Sequence, residues 1–147
     1  MKKIIMLSAM VFALTTSFAF KVEQPIDKRV LNAFKIKFEG ATDVSWTVGS
    51  SYYQAIFTLH GETLNAFYGL DSGFIGVIRY ISSTTLPLRL QRNLKKMMGD
   101  YWIADLFELA NDDGTTYYVT LEKADSKIVL ESIPNANWSL FKKEKGE

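Results

Sequence analysis

The stretch of residues 52–80, YYQAIFTLHGETLNAFYGLDSGFIGVIRY, constrains the fold of this chain most strongly. Runs rich in aromatic and β-branched residues predict three strands: 52–59, 63–70 and 74–80. His60-Gly61 and Ser72-Gly73 lie between these runs, and glycine in such a turn supplies the positive φ that closes a hairpin. The stretch therefore predicts three consecutive antiparallel strands.

The first turn decides which side chains share a face. If His60-Gly61 is a two-residue loop, Phe57 lies opposite Leu64, and paired residues point to the same side of the sheet. We assign one face to the core: Tyr53, Ala55, Phe57, Leu64, Ala66 and Tyr68. The opposite, outer face then carries Tyr52, Gln54, Ile56, Thr58, Thr63, Asn65 and Phe67. A slip of one residue would exchange the two faces completely.

The second turn leaves two registers open. A two-residue loop, Ser72-Gly73, would send Ile75 and Val77 toward the core. A three-residue loop, Asp71–Gly73, would send Phe74 and Ile78 there instead. The sequence does not decide between these alternatives.

Apolar residues at helical spacing flank the strands. Ile26, Val30 and Phe34 predict a helix over 25–38 with Pro25 in its first turn. Leu86, Leu90 and Leu94 predict a second helix, capped by Thr85, with Pro87 in its first turn and Gly99 at its end. Alternation predicts five further strands, one containing Val44, Trp46 and Val48 and the others at 101–109, 115–122, 128–133 and 138–141.

A helix followed by four strands thus occurs twice, over about 25–81 and 85–141. The pattern predicts an α+β fold with two tandem units in a single domain, 20–141, and a polar tail, 142–147. We expect one antiparallel sheet of about eight strands, with both helices on one face and the other face open.

The N-terminal residues have the layout of a secretory signal peptide. Lys2 and Lys3 precede an apolar run, and small residues lead to a cleavage point near Ala19, so we expect residues 1–19 to be removed. The chain has no cysteine, so no lipid can be attached at that residue type. The remaining chain has a formal charge of −1, which does not favour nucleic acid. We expect a periplasmic or secreted protein without stable membrane insertion.

Several motifs resemble the PepSY-like exported bacterial proteins. The run Gly40-Ala41-Thr42-Asp43-Val44-Ser45-Trp46, then Tyr52–Phe57 and His60-Gly61-Glu62, is similar to their first half, and Tyr117–Leu121 to their second. The resemblance implies a fold like that of the β-lactamase inhibitor protein. It also implies a role in binding or restraining another exported protein.

No catalytic or metal-binding set is visible in the sequence. His60 is the only histidine, and nothing near it marks a nucleophile. One histidine without cysteine does not favour zinc. Asp71–Gly73 and Asn111–Gly114 lack the spacing of a calcium loop and are typical of turns. We therefore predict a protein that is not an enzyme and needs no cofactor or metal.

The outer face offers a binding hypothesis. Aromatic and apolar side chains alternate there with neutral polar ones, as in many protein interfaces. The candidate partner-binding residues are Tyr52, Gln54, Ile56, Asn65 and Phe67. The partner would be an exported protein or peptide, and a homodimer could cover the same face. The alternative is a small-ligand carrier or sensor with a pocket between helices and sheet, lined by Phe34, Phe57, Leu90 and Leu94.

Overall fold

A computed structural model describes residues 25–133 and 136–145. The elements are α1 (Lys28–Lys37), β1 (Thr42–Val48), β2 (Tyr52–Leu59), β3 (Glu62–Gly69), β4 (Phe74–Tyr80), a 3₁₀ turn (Ser83–Thr85), α2 (Leu88–Met98), β5 (Trp102–Asn111), β6 (Gly114–Lys123), β7 (Ser126–Ser132) and β8 (Ser139–Lys145). The strands form one eight-stranded antiparallel sheet in chain order, which confirms the predicted α+β class. The predicted signal peptide lies outside the described residues.

The chain divides into two compact units. Unit 1 ends at Val77 and unit 2 begins at Ile78. The order of one α-helix and four strands occurs twice along the chain. The duplication itself stays a prediction, and each unit is described separately below.

The turn between β2 and β3 has the predicted register. Leu59 pairs with Glu62, Phe57 with Leu64 and Ala55 with Ala66. His60 and Gly61 both have positive φ, at 51° and 82°. Two successive positive φ values are those of a type I′ turn, whose twist matches the flanking strands. The assignment of the two faces of this hairpin is therefore confirmed.

The second turn matches neither predicted register fully. The Gly69 N–H donates to the Gly73 carbonyl at 2.8 Å, so three residues lie between them. Phe74 and Val77 both pack against the helix-side core of unit 1. Residues three apart cannot share a face in a regular strand, because successive side chains alternate. The alternation is thus interrupted between Phe74 and Val77.

An aromatic cluster under α1 forms the core of unit 1. The Phe34 ring lies 4.9 Å from Phe57 and 5.2 Å from Trp46, measured between centroids, and both contacts are edge-to-face. Val30 lies one helical turn before Phe34 and is fully buried. Such ring pairs contribute about 0.5–1.5 kcal/mol each beyond the area they bury. These contacts hold α1 on the core face of the hairpin.

Both helices begin later than predicted. Asp27 caps α1 by accepting a hydrogen bond from the Arg29 N–H at 2.8 Å, so Pro25 precedes the helix. In unit 2, Thr85 ends a 3₁₀ turn and is not the cap, and Pro87 occupies the N-cap position of α2. The cap position is local geometry that several polar residues near a helix start can satisfy, so sequence places it only approximately.

The core of unit 2 is aliphatic. Leu90 and Leu94 of α2 pack against Leu106, Val119 and Leu130 of the strands. Trp138 joins this cluster, and its Nε1–H donates to the Leu90 carbonyl at 3.0 Å. A buried indole N–H needs such a partner. The bond attaches the segment before β8 to the helix.

The last strand is longer than predicted. β8 runs over Ser139–Lys145, so most of the charged segment assigned to a polar tail belongs to the sheet. Lys142 and Glu144 lie two residues apart and form an ion pair. Charged residues are common on edge strands, where they discourage pairing with other chains. The run of charged residues therefore does not lie outside the folded domain, as the prediction of a polar tail had it.

Tyr68 provides a test of the unit 1 core. It is fully buried, and its hydroxyl has no hydrogen-bond partner among the described residues. An unsatisfied buried hydroxyl costs about 1–3 kcal/mol. We therefore expect Tyr68→Phe to increase the free energy of unfolding by about 1 kcal/mol, measured by urea denaturation. Tyr53→Phe, at a half-buried ring in the same core, serves as the control. A loss of stability in Tyr68→Phe alone would contradict this description.

Candidate functional site

The outer face of unit 1 brings the five predicted binding residues together. Gln54 on β2 pairs with Phe67 on β3, and Ile56 pairs with Asn65. Tyr52 pairs with Gly69 and lies on the same side. All five side chains point away from α1, because their strand neighbours Ala55, Phe57, Ala66 and Tyr68 pack under that helix.

The five residues differ in how far a partner could reach them. Ile56 is 39% exposed, whereas Asn65 is 9% and Phe67 1% exposed. The Tyr52 ring packs edge-to-face on Phe67 at 5.8 Å. Gln54 Nε2 donates to Asn65 Oδ1 at 3.2 Å. Asn65 and Phe67 therefore support this face, and its contact surface consists of Tyr52, Gln54 and Ile56.

The outer face of unit 2 carries four aromatic rings that the sequence interpretation did not assign to a site. We call Tyr80, Phe107, Tyr118 and Phe141 the aromatic ladder. Centroid distances between successive rings are 5.9, 5.3 and 5.4 Å. Phe107 pairs with Tyr118. The neighbouring pair, Leu106 and Val119, belongs to the core, so Phe107 and Tyr118 point to the other side of the sheet. The ladder thus lies on the side of these strands away from α2.

A turn signal could have revealed the ladder. Asn111 pairs with Gly114, so Asp112-Asp113 is a two-residue loop, and the Asn111 side chain accepts from the Asp113 N–H at 2.9 Å. Asn111–Gly114 predicts this turn, and the register of the strands on either side follows from it. Counting outward from Asn111 and Gly114 would have placed Phe107 opposite Tyr118, as His60-Gly61 did for unit 1.

Acidic residues accompany the tyrosines of the ladder. Glu131 pairs with Tyr118. Burial raises the pKa of the Tyr118 hydroxyl to about 12, and the Glu131 carboxylate adds to the effect. Burial, followed by the charge of Asp105, also raises the pKa of Tyr80. Both hydroxyls are therefore neutral donors at physiological pH.

A cavity of about 320 Å³ lies in unit 1 between α1 and β1. Its lining comprises Leu31, Phe34, Lys35, Phe38, Glu39, Gly40, Ala41, Val44 and Trp46. Of the lining predicted for a ligand pocket, only Phe34 is among these residues. Phe57, Leu90 and Leu94 are buried in the two separate cores instead. The volume is at the lower end of the range for ligand pockets.

The described residues offer no group suited to metal chemistry. Within 25–133 and 136–145, no cluster of three or more histidine, cysteine, aspartate or glutamate side chains could hold a metal ion. His60 is exposed and lies in the hairpin turn with positive φ, so it has a structural role as a turn residue. In the same part of the chain, no helix is long and apolar enough to cross a bilayer.

The fold defines the class of this protein: an α+β domain in which helices cover an eight-stranded antiparallel sheet. Solved structures with a similar fold include proteins from Bacteroides. A BLIP-like protein from Bacteroides fragilis superposes with a TM-score of 0.70 at 18% identity, covering 83% of this chain and 87% of its own. A DUF2874 family protein from Bacteroides ovatus gives 0.72 at 16% identity, covering 83% and 89%. At these identities the likeness shows a BLIP-like fold.

A third solved structure is a candidate periplasmic protein from Bacteroides eggerthii. It has a TM-score of 0.70 and 12% identity, and the match covers 83% of this chain and 90% of the other.

Sequence comparison adds little to the structural likeness. No protein-family model matches the chain. Vacuolar amino acid transporter 3 of Saccharomyces cerevisiae is 31% identical over 123 residues, which is 77% of this chain but 18% of the transporter. The chain thus spans less than a fifth of that relative's length. Membership of the PepSY-like family stays a prediction.

The raised tyrosine pKa predicts a loss of stability at high pH. An unfolded tyrosine ionises near pH 10, whereas Tyr118 in the folded chain ionises near 12. Between these values the unfolded chain binds fewer protons, so stability falls as pH rises. Each unit of pKa difference corresponds to about 1.4 kcal/mol, and we expect Tyr118 to contribute up to about 2 kcal/mol of this loss.

The measurement is urea denaturation of wild type and Tyr118→Phe at several pH values, from about 9, below the unfolded pKa, to about 12, near the folded pKa. The wild type should lose more stability over this interval than the variant. Equal losses would show that Tyr118 ionises with an ordinary pKa. Tyr117→Phe, at the adjacent core-facing tyrosine, controls for removal of a hydroxyl.

Proposed function

We propose that this chain is an exported, non-catalytic binding module that docks another exported protein or a peptide on its outer sheet surface. It would act as an inhibitor or regulator of that partner. Support comes from the BLIP-like fold, and from outer faces whose aromatic side chains are separate from both helix-side cores. Export rests on the predicted signal peptide, and membership of the PepSY-like family would fit the same role.

The contact surface of unit 1 carries this proposal. Tyr52, Gln54 and Ile56 lie in alternate positions along β2 and face the side opposite α1. An aromatic ring, an amide and an aliphatic side chain combine apolar area with hydrogen-bonding capacity, which is typical of interface centres. Tyr52 is already held against Phe67, so little side-chain entropy would be lost when a partner covers it.

The aromatic ladder gives unit 2 an exposed ring at Tyr80, which Phe107 and Tyr118 support from buried positions. Tyr80 is half exposed, and its ring is positioned by contact with Phe107. Tyrosine rings fixed by neighbouring aromatics are frequent anchors in protein interfaces. Asp105 and Glu131 beside the tyrosines would favour a partner with basic side chains.

The small-ligand alternative has one supporting observation. The cavity between α1 and β1 has apolar walls, but it lies away from the predicted lining residues Phe57, Leu90 and Leu94. A carrier would need its ligand to be enclosed there. A partner that binds the outer surface needs no enclosure, so the binding module is the function that we favour.

Affinity capture from a periplasmic extract tests the outer surface of unit 1. Ile56→Lys places a charge within the contact surface and should reduce capture of the specific partner at least about tenfold, since a desolvated charge weakens an interface. Quantitative mass spectrometry of the captured proteins gives the readout.

Ile36→Lys is the matched control. Ile36 is 83% exposed on α1, on the helix side of the chain. Capture should be unaffected by this change. If Ile36→Lys and Ile56→Lys retain the same proteins at wild-type levels, the outer surface of unit 1 is not the docking site.

A further inference from the structure

The two edges of the sheet differ in their protection against pairing with another strand. β8 is charged, with Lys142, Lys143 and Glu144 in succession. β1 carries one charged residue, Asp43, within a stretch of irregular pairing between Thr42 and Ser45. Proteins commonly block sheet edges with charges or bulges. The second half of β1, from Ser45 to Val48, has neither.

The backbone of this unblocked segment is positioned for hydrogen bonding. The Gly49 N–H donates to the Tyr52 carbonyl at 2.8 Å, which marks a hydrogen-bonded pair next to the turn. Hydrogen-bonded and non-hydrogen-bonded pairs alternate along antiparallel strands. Thr47 therefore bonds to β2, whereas the N–H and C=O groups of Trp46 and Val48 point away from it. No described strand pairs with that side of β1.

The cavity lies beside the same segment. Val44 and Trp46 of β1 form one wall, and Phe34 and other residues of α1 form the opposite wall. Trp46 pairs with Ala55, so its side chain faces the helix side. A residue of an added strand opposite Trp46 would project to that side too. Its side chain would meet the cavity.

The chemistry of the cavity favours an uncharged apolar side chain. Most of its lining is hydrocarbon or aromatic, and its two charged residues, Lys35 and Glu39, have opposite signs. They give no net charge preference. A leucine or phenylalanine side chain fits these properties, whereas a carboxylate or ammonium group would lose hydration there.

We propose that β1 binds an extended segment of a partner protein by strand addition. The segment has apolar residues at alternate positions, and one of them enters the cavity between α1 and β1. This site is separate from the outer face. Backbone pairing provides affinity and the cavity provides selectivity, as in other strand-addition sites.

A second copy of this chain is a poorer occupant. Its own β1 would present Val44 and Trp46 toward the helix side, but both already line the cavity of their own chain, and the Trp46 ring packs on Phe34 at 5.2 Å. Placing Trp46 in the neighbour's cavity would require breaking this contact. A partner segment with unengaged apolar side chains has no such cost.

The test uses a fluorescent, terminally blocked peptide that alternates leucine and threonine, titrated with the full chain and followed by anisotropy. Val44→Lys places a charge at the cavity wall and Val48→Pro removes an outward N–H. Each should weaken binding about tenfold. N-methylation at alternate amides of the same peptide can be placed in two ways. The version that methylates the amides facing β1 should bind more weakly than the version that methylates the amides on the other side.

Leu140→Lys makes the matched change on the exposed surface of β8 and should leave the affinity unchanged. Ile56→Lys should also leave it unchanged, which separates this site from the proposed docking face. Circular dichroism verifies that the variants fold. The proposal is overturned if wild type does not bind the peptide, or if Val44→Lys and Leu140→Lys have equal effects. A wild-type dimer that Val48→Pro converts to monomer would assign the edge to a second copy instead.

Discussion

The hairpin turn at His60-Gly61 is the local constraint on which the organisation of unit 1 depends. Both residues adopt positive φ, which fixes Leu59 opposite Glu62 and with it every pair of β2 and β3. Because side chains alternate strictly along a strand, this one turn decides that Phe57 packs beneath α1 and that Ile56 faces outward. The same register places the core residues beneath α1 and leaves Tyr52, Gln54 and Ile56 on the opposite face.

The two units differ in which face of the sheet carries most of their aromatic side chains. In unit 1, aromatic rings of α1 and the hairpin fill the core, and the outer face is a mixture of neutral polar and apolar groups. In unit 2 the core is mainly aliphatic, with Trp138 as its buried aromatic member, and four other aromatic residues form the ladder on the opposite side. Aromatic content alone therefore does not distinguish core from surface in this chain. Register does, because it tells which ring packs beneath a helix.

The sequence could predict the elements that follow from local spacing, but not the starts of the helices or the extent of β8. The two helices, the strands and the first register follow from spacing and one turn. The facing of Phe74 could not be predicted, because Lys37 of α1 and Phe38, just after that helix, contact its ring. The strand alternation also breaks just after Phe74. The cavity was equally inaccessible, since it depends on how α1 lies against β1. The aromatic ladder is different: the turn after Asn111 contained enough information to find Phe107 opposite Tyr118.

Thiol labelling tests most directly whether the turn divides the hairpin into a covered and an accessible face. The chain has no cysteine, so Ala55→Cys and Ile56→Cys each introduce a single reporter. These neighbours differ sharply in exposure, at 0% and 39%. The Ile56→Cys thiol should react at nearly the rate of the unfolded chain, and the Ala55→Cys thiol many times more slowly. If Ala55→Cys reacts as fast as Ile56→Cys in the folded protein, the register and the proposed binding surface that depends on it are wrong.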